Sequence, residues 1–133
     1  MTRKMMLGDP PPIRITGADL GRLDSIVANL SRTSSPVVRF LEREIDRAAL
    51  ADPGDAAPFV RMHSRIRFTD GDGVPRAATL VYPEELPSVP DGLSILTPVG
   101  TALLGLAEGQ RISYETLDGR TKTLTVIEIA STA

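Results

Sequence analysis

Residues 93–110, Leu-Ser-Ile-Leu-Thr-Pro-Val-Gly-Thr-Ala-Leu-Leu-Gly-Leu-Ala-Glu-Gly-Gln, carry the most informative pattern in the chain. The apolar run from Leu93 to Leu96 predicts a short strand. Thr97-Pro98 then places a capping hydroxyl before a proline, which is typical of a helix start. The apolar residues from Val99 to Leu106 predict a short helix, and Gly109 fits the position just past its end.

Further strands are predicted on both sides of this segment. Residues 60–69 alternate strictly between apolar and polar, which is typical of a half-buried strand. A turn at Asp70-Gly71-Asp72-Gly73 and a returning strand over residues 76–82 complete a hairpin. Residues 110–116 and 120–129 form a second hairpin around Asp118-Gly119. The C-terminal part is therefore predicted to be a small antiparallel sheet domain with one helix.

The N-terminal part predicts two helices. Thr16 and Asp19 have the spacing of a helix cap, and apolar residues then recur at three- and four-residue steps as far as Leu30. Five polar residues interrupt the pattern, and Ser35-Pro36 begins it again. We therefore expect an antiparallel helical hairpin, a short coiled coil, over residues 13–50.

The fold class predicted from these patterns is α+β, with the helical hairpin followed by the sheet domain. The chain divides into a flexible tail, the hairpin, a linker and the sheet domain. Their bounds are residues 1–12, 13–50, 51–59 and 60–133.

Composition excludes several functions. The 15 Lys and Arg against 17 Asp and Glu give a net charge of −2, which argues against binding polyanions by phosphate neutralisation. With no cysteine, thiolate metal sites, disulfides and cysteine nucleophiles are excluded. No signal peptide or membrane span is apparent, so we expect a cytoplasmic protein with no membrane partner.

Few residues suggest catalysis. His63 is the only histidine, and its neighbours on the predicted strand are arginines, which offer no carboxylate to orient it. Glu84, Glu85 and Asp91 lie in a proline-rich loop without an apolar setting that would raise a carboxyl pKa. We therefore expect no enzyme activity, no catalytic residue, no metal site and no cofactor.

Two polar features remain as candidate binding sites. The basic strand face is either a solvated surface or a contact for an acidic or phosphate-bearing partner. The hairpin tip is either a polar turn or the end of a rigid arm that projects from the globular base into a partner's cleft. The first feature consists of Arg61, Arg65 and Arg67, and the second of Ser31, Arg32, Thr33, Ser34 and Ser35.

Residues 93–110 strongly resemble the C-terminal domain of the GreA/GreB transcript-cleavage factors. That family's pattern is roughly Ile-Ser-x-x-Ser-Pro-x-x-x-Ala-Leu-Leu-Gly-x-x-x-Gly-Asp. Residues 80–85 are similar to the family's Val-x-Pro-x-Glu-Ala-Asp segment, without its Ala-Asp. The resemblance covers about residues 60–130. The sequences of residues 98–105 and 11–20 are similar to those of the Rnk subgroup.

This resemblance implies an FKBP-like domain that docks on RNA polymerase at the rim of the secondary channel, with the hairpin directed into the channel. It implies docking through the turn before the short helix, where Thr97 replaces the usual serine and Leu96 stands where GreB-like factors carry an acid. The implied docking residues are Leu96, Thr97, Pro98 and Val99.

Family members that stimulate transcript cleavage depend on acidic tip residues that help to hold a metal ion in the polymerase active site. The tip at residues 31–35 has no carboxylate, and the arm is shorter than the Gre coiled coil. We therefore expect a monomeric regulator that binds polymerase without stimulating cleavage and without sequence-specific nucleic-acid binding.

Two alternatives of other classes stay open. The FKBP-like fold suggests a peptidyl-prolyl isomerase, whose pocket would have to be built from the aromatic residues of the sheet domain. The subgroup's full name, regulator of nucleoside diphosphate kinase, suggests direct control of that kinase. The aromatic residues concerned are Phe59, Phe68, Tyr82 and Tyr114.

Overall fold

The structure is a computed structural model that describes residues 10–30, 32–33, 35–51 and 58–130. Seven strands, three α-helices and one 3₁₀ helix are found in this part of the chain. In chain order they are β1 (Arg14–Ile15), α1 (Gly17–Leu30), α2 (Pro36–Arg47), β2 (Ala49–Leu50), β3 (Arg65–Asp70), β4 (Pro75–Val81), the 3₁₀ helix (Pro83–Ser88), β5 (Gly92–Ser94), α3 (Pro98–Leu103), β6 (Arg111–Glu115) and β7 (Thr121–Ile129).

The C-terminal part is a five-stranded sheet with the order β5-β4-β3-β7-β6. Both predicted hairpins are present as the antiparallel pairs β3–β4 and β6–β7, and β3 and β7 also pair antiparallel. The fifth strand, β5, is the exception because it runs parallel to β4. The predicted α+β class is confirmed, with a mixed sheet in place of a wholly antiparallel one.

Both helices of the N-terminal pair begin where local chemistry predicts. The Thr16 hydroxyl accepts a hydrogen bond from the backbone N–H of Asp19 at 3.1 Å. Ser35 accepts one from the N–H of Val38 at 3.3 Å, and Pro36 follows it as the first helical residue. Each cap satisfies a backbone donor that a helix start leaves without an intrahelical partner.

A parallel two-stranded pairing of β1 with β2 joins the two ends of the helical pair. Beside it, the Arg47 guanidinium binds the buried Glu44 carboxylate at 2.8 Å and also donates to the carbonyl of Pro11. The segment before α1 is therefore held to the end of α2 by the β1–β2 backbone hydrogen bonds and by the hydrogen bond of Arg47 to Pro11.

One continuous hydrophobic core joins the helical pair to the sheet. The helices therefore do not form an arm that projects from a globular base, because their apolar faces pack against the sheet and α3. From the helical pair and its flanking strands, the fully or nearly buried core residues are Ile13, Ile15, Leu23, Val27, Leu41 and Ile45. From the sheet part they include Val60, Ile66, Leu80, Ile95, Leu103, Leu106 and Leu124.

The strand predicted over residues 60–69 begins only at Arg65. The burial does alternate from Val60 onward, but His63 has φ of +74°, so the backbone bends there. His63 N–H donates to the carbonyl of Leu80, while Leu80 N–H donates to the carbonyl of Ser64. Two residues thus oppose one, as in a β-bulge, and this keeps the inside-outside alternation without a regular strand.

The helix predicted from Val99 to Leu106 is shorter, because α3 ends at Leu103. The glycine just past its end is Gly105, with φ of +82°, and Gly109 belongs to a separate turn. Gly105 lies against the backbone of Arg14, whose N–H donates to the Gly105 carbonyl at 3.3 Å. The helix stops there because β1 crosses the chain at that point.

Some predicted segments fall partly outside the described residues. These are residues 1–9 of the tail, Ser31 and Ser34 of the tip, residues 52–57 of the linker and residues 131–133. Phe59, the last residue of the predicted linker, is buried and forms an isolated bridge with Ala107. No helix in the described part of the chain is long and apolar enough to cross a membrane.

Candidate docking surface

The turn before α3 is fixed by a dense set of hydrogen bonds. The Thr97 hydroxyl accepts from the N–H of Gly100 at 3.0 Å and donates to the carbonyl of Ser94 at 2.7 Å. The buried Thr101 hydroxyl donates to the carbonyl of Ile95 at 2.7 Å. A β-carbon on Gly100 would lie 2.1 Å from the Ser94 carbonyl oxygen, so only glycine fits this turn. Pro98 is therefore presented by a rigid support.

Thr97, Pro98 and Val99 line a shallow groove of about 420 Å³ on the molecular surface. Leu117, at the turn between β6 and β7, lies on the opposite side of this groove and is 73% exposed. Leu96, the fourth docking residue implied by the resemblance, is half-buried and does not line the groove. The structure thus brings three of the four together and adds Leu117.

Leu117 was not singled out from the sequence as a candidate site residue. The turn does not require an apolar residue at position 117, directly before Asp118-Gly119, because polar residues and glycine are typical there. That mismatch was the available signal, because exposed apolar residues next to a groove mark interaction sites.

A second groove, of about 330 Å³, lies on the other side of Pro98. One wall is the first half of α2, with Pro36, Phe40 and Arg43, and the other is the β6–β7 hairpin. Pro98, Tyr114, Thr116 and Leu117 line both grooves, and the apolar pair Pro98 and Leu117 is called the ridge below. The start of α2 therefore lies beside the docking residues.

Three charged groups beside the ridge, Asp70, Asp118 and Lys122, are engaged within the chain. Asp70 accepts a hydrogen bond from the Tyr114 hydroxyl and lies 3.5 Å from the Lys122 ammonium. Burial, and then the bond to Asp70, raise the pKa of Tyr114. The hydroxyl of Thr116 donates to Asp118 and lowers the pKa of that carboxyl. The surface therefore offers contact area and shape, and Asp70, Lys122 and Asp118 beside it are already partnered.

Of the hairpin tip, the structure describes Arg32, Thr33 and Ser35. The Thr33 hydroxyl and N–H both donate to the carbonyl of Leu30, at 2.7 and 2.9 Å, which closes the end of α1. Arg32 and Thr33 are exposed. These residues do not line either groove, although Pro36 directly after them does.

Each arginine of the predicted basic face has its own partner. Arg65 pairs with Asp91 at 2.5 Å and Arg67 with Glu128 at 3.3 Å, whereas Arg61 lies before the strand and over the ring of Phe59. The face is thus a set of ion pairs rather than a continuous positive patch.

His63 does have a carboxylate partner, contrary to the sequence expectation. Its Nε2 lies 2.9 Å from Glu85, which also accepts the N–H of Tyr82 at 2.9 Å. The Tyr82 N–H, and then His63, lower the pKa of Glu85. No local sequence pattern predicts this contact, because Glu85 comes from the 3₁₀ helix 22 residues further along.

The neighbouring Glu84 and Tyr82 connect this region to α1. Glu84 pairs with Arg22, whose guanidinium lies 3.7 Å from the centre of the Tyr82 ring. Burial, and then the nearby Asp19, raise the pKa of Tyr82 to about 12. Asp19 in turn accepts the N–H of Met62 at 3.1 Å. Glu84 therefore links α1 to the 3₁₀ helix, whereas Glu85 bonds His63 and the backbone of Tyr82, so the two glutamates have separate partners.

The aromatic residues considered for an isomerase pocket are core residues. Phe59, Phe68 and Tyr82 are each at most 4% exposed, and Tyr114 is 5% exposed with one edge on the grooves. In the described part of the chain, no group of three His, Asp or Glu side chains could hold a metal ion.

Comparison with known proteins gives two family matches and several close relatives. Residues 55–131 match the family described as transcription elongation factor GreA/GreB, C-terminal, and residues 11–50 match the one described as Rnk N-terminus. Relatives from Escherichia coli K12 and Shigella flexneri, each named regulator of nucleoside diphosphate kinase, are 36% identical over 121 residues. Each alignment covers 90% of this chain and 89% of the relative.

A solved structure shows the same architecture. The protein is described as a prokaryotic transcription elongation factor GreA/GreB from Nitrosomonas europaea and is 35% identical to this chain. The two structures superpose with a TM-score of 0.69 over 90% of this chain and 99% of that one.

Proposed function

This chain belongs to the GreA/GreB transcription elongation factor family, in its Rnk branch, and we propose from that premise that it is a non-enzymatic regulator that binds RNA polymerase. It acts in the cytoplasm by docking at the rim of the secondary channel and competing with other factors that use the channel. The resemblance to the family implies that the docking turn lies at Thr97 and Pro98.

The observation that supports this role is the ridge of Pro98 and Leu117 between two grooves. Pro98 is held by the Thr97 cap, and Leu117 exposes most of its side chain. A rigid apolar ridge loses little conformational entropy when a partner covers it, and burying a leucine stabilises an interface by about 2 kcal/mol.

We further propose that the chain does not stimulate transcript cleavage. The tip residues at 31–35 are serine, arginine and threonine, so none supplies a carboxylate for a metal ion in the polymerase. The helices α1 and α2 have 14 and 12 residues, respectively, and α2 packs against α1 and α3. The short helical pair therefore occupies the channel mouth without reaching the active site.

Docking is tested by measuring the binding of the labelled chain to core RNA polymerase at low salt, with GreA as the competitor. Wild-type protein should bind and be displaced by GreA. Leu117→Lys should weaken binding about tenfold or more, because it puts a charge where an apolar contact forms. Val74→Lys is the matched control, since Val74 is also an exposed apolar residue in a hairpin connection but lies at the β3–β4 end. Equal affinities of the two variants, or no binding by wild type, would contradict the proposal.

The absence of cleavage is tested on stalled elongation complexes. Adding this chain should leave the transcripts at full length, whereas GreA shortens them in the same assay. Shortened transcripts in the presence of this chain alone would overturn that part of the proposal.

The names of the relatives favour a second candidate, direct control of nucleoside diphosphate kinase. Such control predicts that the purified chain changes the kinase's rate in the absence of polymerase. A changed rate that Leu117→Lys does not affect would assign this activity to a surface other than the ridge.

A further inference from the structure

The free edge of β6 carries an unusual arrangement of charge. β6 is the last strand of the sheet and pairs with β7 only. Its exposed side chains are those of Arg111, Ser113 and Glu115, which share one face of the strand. Among the residues that the structure describes, Arg111 and Glu115 form no ion pair, whereas the nearby strand arginines Arg65 and Arg67 both do. Two opposite charges thus lie unpaired along one edge strand.

The hydrogen-bond register shows which backbone groups this edge presents. Thr116 N–H donates to the carbonyl of Arg120, and Val126 N–H donates to the carbonyl of Gln110. Residues of an antiparallel strand alternate between bonding inward and facing outward. Ile112 and Tyr114 therefore bond to β7, and the N–H and C=O groups of the residues between and beside them face the free edge.

We propose that this edge is an interface with a second copy of the same chain, in which two β6 strands pair antiparallel about Ser113. In that register Arg111 of each copy lies opposite Glu115 of the other, and Ser113 lies opposite its own counterpart. The residues that meet are the ones whose backbone groups face outward, so both N–H and C=O groups find partners. The sheet continues from one copy into the other.

Charge complementarity identifies the partner as a second copy. A strand with arginine at one end and glutamate four residues later matches itself only when it is reversed, which is the antiparallel arrangement. The same charges disfavour pairing with an unrelated strand, because charged side chains on an edge strand discourage indiscriminate pairing. Cross-strand pairs of opposite charge stabilise a sheet, and like charges directly opposite destabilise it.

The edge also has room for a partner. The groove of about 330 Å³ separates the β6–β7 hairpin from Phe40 and Arg43 of α2. A five-residue strand buries less than the roughly 1,200 Å² of a standard stable interface, so the dimer is weak and depends on concentration. This inference replaces the expectation of a monomer at high concentration. Ser113 and Glu115 line the same groove as Pro98 and Leu117, so the dimer and a docked polymerase would use adjoining surfaces.

The first experiment is sedimentation of the full chain from micromolar to millimolar concentration. Wild type should shift from monomer to dimer over that range. Arg111→Glu and Glu115→Arg should each weaken the dimer about tenfold, because each places like charges opposite one another twice. Asp24→Arg, an exposed charge reversal on α1, is the control that should leave dimerisation unchanged.

A mixture of the two charge-reversed variants provides the decisive test. When Arg111→Glu and Glu115→Arg proteins are combined in equal amounts, the heterodimer has opposite charges at both positions, so dimerisation should return to the wild-type level. A wild type that remains monomeric at millimolar concentration, or a mixture no stronger than either variant alone, would overturn the proposal.

Amide hydrogen exchange gives an independent readout on the wild-type protein. The outward N–H groups of Arg111, Ser113 and Glu115 should become protected as concentration rises, while those of Ile112 and Tyr114 are protected throughout. Protection that develops on α1 or β5 instead would place the interface elsewhere and would also overturn the proposal.

Discussion

At the scale of single residues, Gly105 lies where β1, near the N-terminus, packs against the chain just after α3. It has φ of +82°, and a β-carbon there would lie 2.7 Å from the carbonyl oxygen of Arg14 and from the side chain of Ile13. Both contacts are fixed parts of β1 or its flank. Gly105 is therefore required for its backbone conformation and also for the space that it leaves.

Gly105→Ala should lower the free energy of unfolding by about 3 kcal/mol, combining the left-handed backbone with a steric overlap in a packed region. Gly109→Ala is the control, since Gly109 has φ of +86° with no atom within 4 Å of its added β-carbon. Gly109→Ala should lower the free energy of unfolding by about 1 kcal/mol, from the left-handed backbone conformation alone. Urea denaturation of both variants measures the difference, and equal losses would show that β1 does not pack as described.

The pH dependence of stability should include a contribution from Glu85. Because its pKa in the folded chain lies below the ordinary 4.5, the ionised form stabilises the fold above that pH, and the stabilisation is lost as pH falls through the lowered pKa. Glu85→Gln should therefore be less stable than wild type at pH 7, and the gap should close toward pH 3. Since the Tyr82 N–H is the larger cause, His63→Ala should retain most of this dependence.

The residue-scale errors in the sequence analysis have a common cause. The alternation of apolar residues predicted which side chains between Val60 and Phe68 are buried, but not the bend at His63, because a bulge preserves that alternation. Gly109 was preferred to Gly105 as the end of α3 because the reason for Gly105 is the distant β1. Local patterns cannot reveal a contact made by another part of the chain.

At the scale of elements, the caps are the best-predicted features. Ser35 and Thr97 both precede a proline, and each accepts a hydrogen bond from the N–H three residues later. A cap depends only on neighbouring residues, so the sequence alone is sufficient to predict it. The same locality explains why the turns of both hairpins lie where they were predicted, although β3 begins five residues later than expected.

Thr97→Ala should destabilise the fold by about 1 kcal/mol, because the α3 cap and the bond to the Ser94 carbonyl are both lost. Thr97→Ser keeps the hydroxyl and should lose less than half of that. Thermal unfolding of the two variants separates the hydroxyl from the methyl group. If serine and alanine are equally destabilising, the methyl packing matters and the cap does not.

At the scale of the whole molecule, the helical pair and the sheet share one core, so they should unfold together. Circular dichroism at the helix band follows mainly α1 and α2, whereas the only tyrosines, Tyr82 and Tyr114, report on the sheet. The two signals should give the same urea midpoint, as expected for a two-state protein of this size. Separate midpoints would show two independent units.

The division of the chain into a hairpin and a sheet domain was predictable, because the hydrophobic period changes from that of helices to that of strands. That the two parts share a core was not, since each apolar stripe is equally compatible with packing inside its own unit. The candidate docking residues Thr97, Pro98 and Val99 were implied by a resemblance, whereas Leu117 was found only in the structure. Contacts between distant parts of the chain depend on the three-dimensional fold and so are not predicted by local sequence patterns.

The contact of β1 with Gly105 also sets an order of events during synthesis. Ile13 and Arg14 leave the ribosome early, but the glycine that they pack against, and the core beneath it, follow after most of the chain has been made. The helical pair consequently spends most of translation with its apolar face uncovered, and closure of the loop between Arg14 and Gly105, about two-thirds of the chain, limits how soon it can dock. A chain stalled before α3 exposes that face and is a substrate for chaperones.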